Sequence, residues 1–302
     1  MRMNDIEKEM ENPEGNPHEF TAQESKPLKS GLYIVATPIG NLRDISFRAL
    51  DILSKADIVM CEDTRVTRKL LNAYQIKAKL QSYNDHSDAG LREVIVNNIK
   101  DGKVIALVSD AGMPLISDPG YKLVRACEEA DLYVTTIPGA SAPLAALQIS
   151  GMPSDQFCFV GFLPNKTGAR KKLLKQWGDA PATLLAFETA PRLIASLQDI
   201  GETLGERDVA VVREITKLYE EMRKGKPREL ATYYGDHGLP KGEIVLVIAP
   251  PQEKEISDAE LRDMISEALK TMRTKEAAAY VAEQTGKKKN DLYNMALEIS
   301  KD

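Results

Sequence analysis

An apolar run, Val104 to Val108, empties at Ser109 into a long turn, Asp-Ala-Gly-Met-Pro-Leu-Ile-Ser-Asp-Pro-Gly, that ends at Gly120. Its prolines stiffen the chain, its glycines let a ligand approach the backbone, and its two acids, Asp110 and Asp118, can take up a proton. A rigid connector would carry the same prolines. The length of the turn and its paired acids favour a ligand loop, since loops held by a rigid scaffold commonly carry function. Two further turns have related chemistry: Thr37-Pro-Ile-Gly-Asn41 and Pro138-Gly-Ala-Ser-Ala142. A fourth polar segment, Cys61-Glu-Asp-Thr-Arg65, leads into a stretch holding Arg68 and Lys69. Its acids, Glu62 and Asp63, serve equally well as helix caps or as groups in a cleft. His86, in Tyr83-Asn-Asp-His-Ser87, is either a general base or a surface histidine.

These turns make a site only if regular elements bring them together. Short β-branched runs alternate with amphipathic stretches from Leu32 onward, the pattern of a largely parallel α/β sheet. The strand candidates are Leu32 to Thr37, Asp57 to Glu62, Val104 to Ser109 and Tyr133 to Ile137. Helices are expected over Ile45 to Ser54, Arg65 to Tyr74 and Leu91 to Lys100. In a parallel sheet the carboxyl ends share one edge, so the turns should converge on one cleft. A second series, Phe157 to Phe162, Thr183 to Phe187, Val209 to Glu214 and Ile244 to Ala249, suggests a second α/β domain. The expected division is an N-terminal arm over 1–30, α/β domains over 31–149 and 150–250, and a helical extension over 251–302. Three helices fit that extension: Ser257 to Lys270, Thr274 to Gln284 and Lys288 to Ile299, with Ser257 and Thr274 as N-caps and Gly286 as a break.

Composition excludes several classes. The chain of 302 residues carries a net charge of −5, against a protein coated with basic surface, although the Lys287 to Lys289 cluster leaves room for a local basic patch. No GxGxxG follows the first strand, and no GxxxxGK with Ser or Thr occurs. Cys61, Cys127 and Cys158 are too widely spaced for a disulfide framework or a zinc site, so no metal is expected. No apolar run reaches the roughly 18 residues of a membrane span. The polar start lacks an apolar signal core, and the expectation is a cytoplasmic protein.

The motifs LYIVATPIGNLRDIS (Leu32 to Ser46), CEDTRVTRKLL (Cys61 to Leu71), LVSDAGMPLISDPG (Leu107 to Gly120), IPGASA (Ile137 to Ala142) and FETAPR (Phe187 to Arg192) carry a resemblance. From Gly31 to about Ile299 the chain resembles the ribosomal RNA small subunit methyltransferase I family, 16S ribosomal RNA 2′-O-methyltransferases of the tetrapyrrole-methylase superfamily. The resemblance implies a two-domain α/β enzyme, usually a homodimer, that holds S-adenosyl-L-methionine in the cleft between its domains. Cofactor contacts carried over by motif fall at Pro38, Ile39, Ala111, Gly112, Met113, Ile116, Ser141, Ala142 and Glu188. Met113 stands where tetrapyrrole relatives carry the aspartate of a GGDP turn. The implied substrate is a cytidine ribose in the decoding region, on 16S rRNA or the small ribosomal subunit. Asp110, Asp118 and Glu62 are then the leading candidates for a catalytic base, and Arg43, Arg65, Arg68, Lys69, Lys287, Lys288 and Lys289 are candidate phosphate contacts. A methyltransferase of tetrapyrroles or other small molecules, and a non-catalytic RNA-binding protein, are the competing readings.

Overall fold

The computed structural model describes residues 27–84, 89–251 and 257–300; His86 and most of the N-terminal arm lie outside the described residues. The chain divides after Pro251 into two compact units.

The first unit opens on a five-stranded sheet of β1 (Gly31–Val35), β2 (Ile58–Cys61), β3 (Leu80–Ser82), β4 (Val104–Val108) and β5 (Val134–Ile137), in the order β3-β2-β4-β1-β5. Its pairings are parallel. β4 is buried along its whole length, and alternation sends its side chains to two cores. Ala106 and Val108 join Leu50 and Leu53 of α1 (Phe47–Lys55). Ile105 and Leu107 join Ile95 and Ile99 of α3 (Ala89–Lys100) and Leu123 of α4 (Tyr121–Glu129) on the other face. Between them in sequence, α2 (Thr64–Ala73) begins where the Asp63 side chain accepts a hydrogen bond from the Arg65 N–H. α1 starts the same way, with Ser46 Oγ accepting from Ala49 N–H at 3.1 Å.

The second sheet is mixed. Its strands are β6 (Phe157–Phe162), β7 (Thr183–Thr189), β8 (Val209–Arg213), β9 (Glu221–Gly225) and β10 (Glu243–Ile248), ordered β6-β7-β10-β8-β9. Only β6 and β7 pair in parallel; β10 runs antiparallel to β7 and β8, and β8 antiparallel to β9. The short 214–220 link after β8 cannot accommodate a crossover helix, so the chain returns as a hairpin. The sequence reading passes over β9 because its residues, Glu-Met-Arg-Lys-Gly, lack apolar alternation; only its pairing with β8 makes it a strand.

One face of this sheet packs against α7 (Leu193–Leu204) and α8 (Pro227–His237) through Leu197, Ile200, Leu230 and Tyr234. The opposite face, with Leu185, Val212, Val245 and Val247, is covered by Ala146 and Leu147 of α5 (Ala142–Ser150) and by Ile39 from the loop after β1. α6 (Thr167–Gly178) is anchored by buried Arg170, whose guanidinium lies 2.5 Å from Asp199.

The second unit holds α9 (Asp258–Leu269), α10 (Thr274–Thr285) and α11 (Lys289–Ile299) around Leu261, Ile265, Val281 and Leu292. Ser257 caps α9 as expected. Arg273, not Thr274, caps α10, because the Glu276 carboxylate reaches back to accept the Arg273 N–H at 3.2 Å. Gly286 ends α10 with φ 66°. Among the described residues no helix is long and apolar enough to cross a membrane.

Candidate functional site

The parallel first sheet delivers its loops to one edge, and hydrogen bonds then fix them to each other. After Asp110 the chain turns back, so that Gly112 pairs antiparallel with Thr37, N–H to O at 2.8 and 3.0 Å. Thr37 Oγ1 also donates to Ser109 O at 3.2 Å. Asp110 Oδ1 accepts the Asp63 N–H at 3.1 Å and ties the turn to the end of β2. Within the turn, Leu115 and Ser117 hold left-handed conformations with φ 72° and 69°. Such backbone strain in non-glycine residues persists only where the surroundings over-determine it, and it concentrates at ligand sites.

Against this turn lies a cavity of about 430 Å³ with walls from both sheets. Among the sequence-predicted residues, Ile39, Asp110, Ala111, Gly112, Met113, Ile116, Asp118, Ser141, Ala142 and Glu188 line it. Pro38 does not; the Thr37–Gly112 pairing leaves it buried, and Ile39 reaches the cavity instead. Glu62 is exposed and outside the lining, although its charge still reaches Asp118. The sequence reading missed most of the far wall: Phe162, Phe187, Thr189, Glu214, Ile215 and the Gly242–Val245 stretch. These residues come together only through the pairing of β6 with β7 and of β10 with β7 and β8, which no local motif announces.

Charge is unevenly distributed around the cavity. Burial pushes the Asp118 carboxyl up to about 6, and the nearby Glu62 and Asp110 carboxylates add to the effect, while a hydrogen bond from Ser109 opposes it. Partial desolvation at its base also raises Glu62, with the Asp110 and Asp63 carboxylates contributing. Asp63 goes the other way, to about 2, chiefly because the Arg65 side chain donates to it and sits 2.6 Å away. Glu188 is fully buried, and its carboxylate is engaged by Arg192 at 2.5 Å, Thr189 N–H at 2.7 Å and Ser196 Oγ. Glu188 therefore braces the wall with its side chain. Glu214 and Glu243 share Lys217 at 2.9 and 3.0 Å. The first turn of α5 also borders the cavity, and Ser141 offers it no side-chain cap, so its N–H groups suit an anionic ligand group. The chamber thus pairs acidic side chains with a helix N-terminus, a complement to a zwitterionic ligand bearing extra positive charge.

The predicted phosphate contacts lie on the surface. Arg43, in the 3₁₀ turn Leu42–Asp44, and Arg65, Arg68 and Lys69 on α2 are exposed in the first unit. Lys287, Lys288 and Lys289 are exposed where α11 begins in the second. Cys61 and Cys127 are buried and Cys158 half-buried. Among the described residues no group of three or more His, Cys, Asp or Glu could hold a metal ion.

Comparison with known proteins places this architecture. Residues 31–231 match the family model of Tetrapyrrole (Corrin/Porphyrin) Methylases, and residues 255–300 match that of the RsmI C-terminal HTH domain. The chain is 51% identical over 282 residues to ribosomal RNA small subunit methyltransferase I of Erythrobacter litoralis, covering 93% of this chain and 99% of the relative. It is 46% identical to the protein of that name from Mesorhizobium japonicum, covering 91% and 94%. Among solved structures, uroporphyrin-III-C-methyltransferase from Thermus thermophilus superposes with a TM-score of 0.52 at 18% identity, over 73% of this chain and 94% of that one. Diphthine synthase gives 0.55 at 15%, over 72% and 89%, and both share the fold. With its two sheets, its helical C-terminal unit and close relatives along nearly its whole length, the chain belongs to the ribosomal RNA small subunit methyltransferase I family, within the tetrapyrrole methylases.

Proposed function

We propose that this chain transfers the methyl group of S-adenosyl-L-methionine to the ribose 2′-oxygen of a cytidine in the decoding region of 16S ribosomal RNA. The observation that carries this reading is the cavity of about 430 Å³ behind the Ser109–Gly120 turn, in a chain whose close relatives bear the name of a ribosomal RNA methyltransferase. The residues present fit the cofactor. Gly112 has φ 78°, and a Cβ there would lie 3.3 Å from Ile39 Cγ2, so a side chain would intrude on the cradle. Ala111, Gly112 and Met113 offer backbone, Ile39 and Ile215 offer apolar surface, and the first turn of α5 would hold the cofactor's carboxylate.

When bound, S-adenosyl-L-methionine supplies an electrophilic methyl group on a cationic sulfur. The chain's own task is to orient the ribose and remove its proton. Asp118 is the base in this reading, since a carboxyl near 6 is ionised at neutral pH and yet basic enough to accept a hydroxyl proton as charge develops. Asp110 positions the turn through Asp63, and Glu62 acts from outside the cavity by keeping Asp118 basic. Arg43, Arg65, Arg68 and Lys69 contact phosphates on the first unit, and Lys287 to Lys289 do so on the second. The protein works as a cytoplasmic homodimer on free 16S rRNA or the assembled small subunit.

The test is to incubate the protein with labelled S-adenosyl-L-methionine and small subunits from a strain lacking the enzyme, then map ribose methylation. Label at one cytidine ribose is expected. Label absent from RNA despite cofactor binding supports the small-molecule alternative, and absence of cofactor binding supports a non-catalytic RNA-binding protein.

A further inference from the structure

Beside the cofactor cavity, and sharing Phe162 and Thr189 with it, lies a second, more open recess bounded also by Pro164, Asn165, Pro191 and Arg192. Phe162 is 53% exposed, an unusual position for a phenylalanine at the end of a strand. The backbone is arranged to put it there. The β6–β7 register shifts between Phe159 and Phe162, and Gly161 within that irregularity has φ 71°. A bulge of this kind re-aims a side chain and is over-represented next to active sites. Behind the exposed ring stands Phe187, with ring centroids 5.1 Å apart, and behind that Phe159, at 4.9 Å from Phe187. The ring is thus braced from within and open on its outer side.

The floor of the recess is equally fixed. Arg192 is held by Glu188 at 2.5 Å, donates to Thr189 Oγ1 at 3.0 Å and to Leu163 O at 3.3 Å, and donates also to Asn165 Oδ1. With its oxygen engaged by Arg192, exposed Asn165 presents its amide NH₂ as a donor. Two prolines, a braced aromatic ring and an amide donor form a surface suited to a planar ring with acceptors on its edge.

We infer that this recess holds the nucleobase of the RNA nucleotide being methylated, stacked on Phe162 and donated to by Asn165, while its ribose enters the adjoining cofactor cavity. The inference rests on the reading of the chain as an RNA ribose methyltransferase. A ribose hydroxyl can reach an enclosed methyl donor only if its nucleotide leaves the stack, and the extruded base then needs a replacement stacking partner. A cytosine presents its carbonyl oxygen and its unprotonated ring nitrogen as acceptors to an amide donor.

Base–aromatic stacking contributes about 1–3 kcal/mol per base, which corresponds to about 5- to 150-fold in kcat/KM. The experiment compares full-length wild type, Phe162→Ala, Phe162→Leu and Phe162→Trp for calorimetric affinity toward S-adenosylhomocysteine and for kcat/KM on small subunits. Expected are a loss of that size in kcat/KM, beyond any change in cofactor affinity, for Phe162→Ala and Phe162→Leu, and recovery in Phe162→Trp. If Phe162→Ala fails to fold, Phe162→Leu carries the comparison. Wild-type kcat/KM in the leucine variant, or a rate loss fully accounted for by weaker S-adenosylhomocysteine binding, overturns the inference while leaving the methyltransferase reading intact. Wild type that binds cofactor but labels no RNA overturns that reading itself.

Discussion

Asp110 and Asp118 belong to the same turn and have different surroundings. Asp110 accepts a backbone hydrogen bond from Asp63 and so fastens the turn to β2. Asp118 is half-buried beside other carboxylates and titrates near 6. A base must be unprotonated to work, so the rate should climb as pH rises through about 6 and level off above it. Asp118→Asn should lower kcat by about 10²–10⁴-fold and erase that acid limb, as single-turnover rates across pH 5 to 8 will show. A buried carboxyl with a raised pKa binds its proton more tightly folded than unfolded. Its contribution to stability is therefore present below the unfolded value and is lost as pH rises toward 6. The asparagine variant should consequently melt no lower than wild type at pH 7; a lower melting temperature would mark Asp118 as structural. The sequence reveals both acids. It does not reveal that Asp118 is raised, because that comes from burial and from Glu62, which is distant in the chain and adjacent in space.

At the scale of elements, the site depends on a turn that recrosses its own sheet edge. Gly112 pairs with Thr37 while holding φ 78°, and its missing Cβ leaves room beside Ile39. Gly112→Trp should weaken S-adenosyl-L-methionine binding by about 10- to 100-fold or more, since strain of about 1–3 kcal/mol adds to the filled space. Calorimetry measures it, and wild-type affinity would show that the turn only connects elements. Four strands of the first sheet, β1, β2, β4 and β5, are legible to within about two residues because each is a short apolar run flanked by turn residues. β3, β9 and the directions of the second sheet are not. A polar edge strand takes its identity from its neighbour, and strand direction follows from link length rather than composition.

Over the whole molecule, a net charge of −5 means that attraction to RNA must come from local basic groups rather than from an overall positive field. The second unit has its own core, and its exposed Lys287 to Lys289 cluster stands at the start of α11. Replacing the three lysines by alanine should reduce affinity for small-subunit RNA and flatten its dependence on log salt by about 0.7 for each phosphate that is no longer neutralised. Cofactor affinity should not change. Filter binding at several salt concentrations checks this, and an unaltered slope would assign these lysines to solvated surface.

By itself the sequence determined four of the five strands of the first sheet, the three terminal helices, the convergence of the Thr37, Ser109 and Pro138 loops, and the family. Each follows from short-range chemistry: β-branched runs, helix caps, glycine and proline in turns, and motifs that span a few residues. Tertiary structure alone decided that Phe162, Glu214 and Gly242–Val245 close the cavity, that Glu188 braces a wall, and that burial raises the Asp118 carboxyl. Those outcomes depend on burial and on pairing between distant strands, and neither is a property of any local stretch of chain.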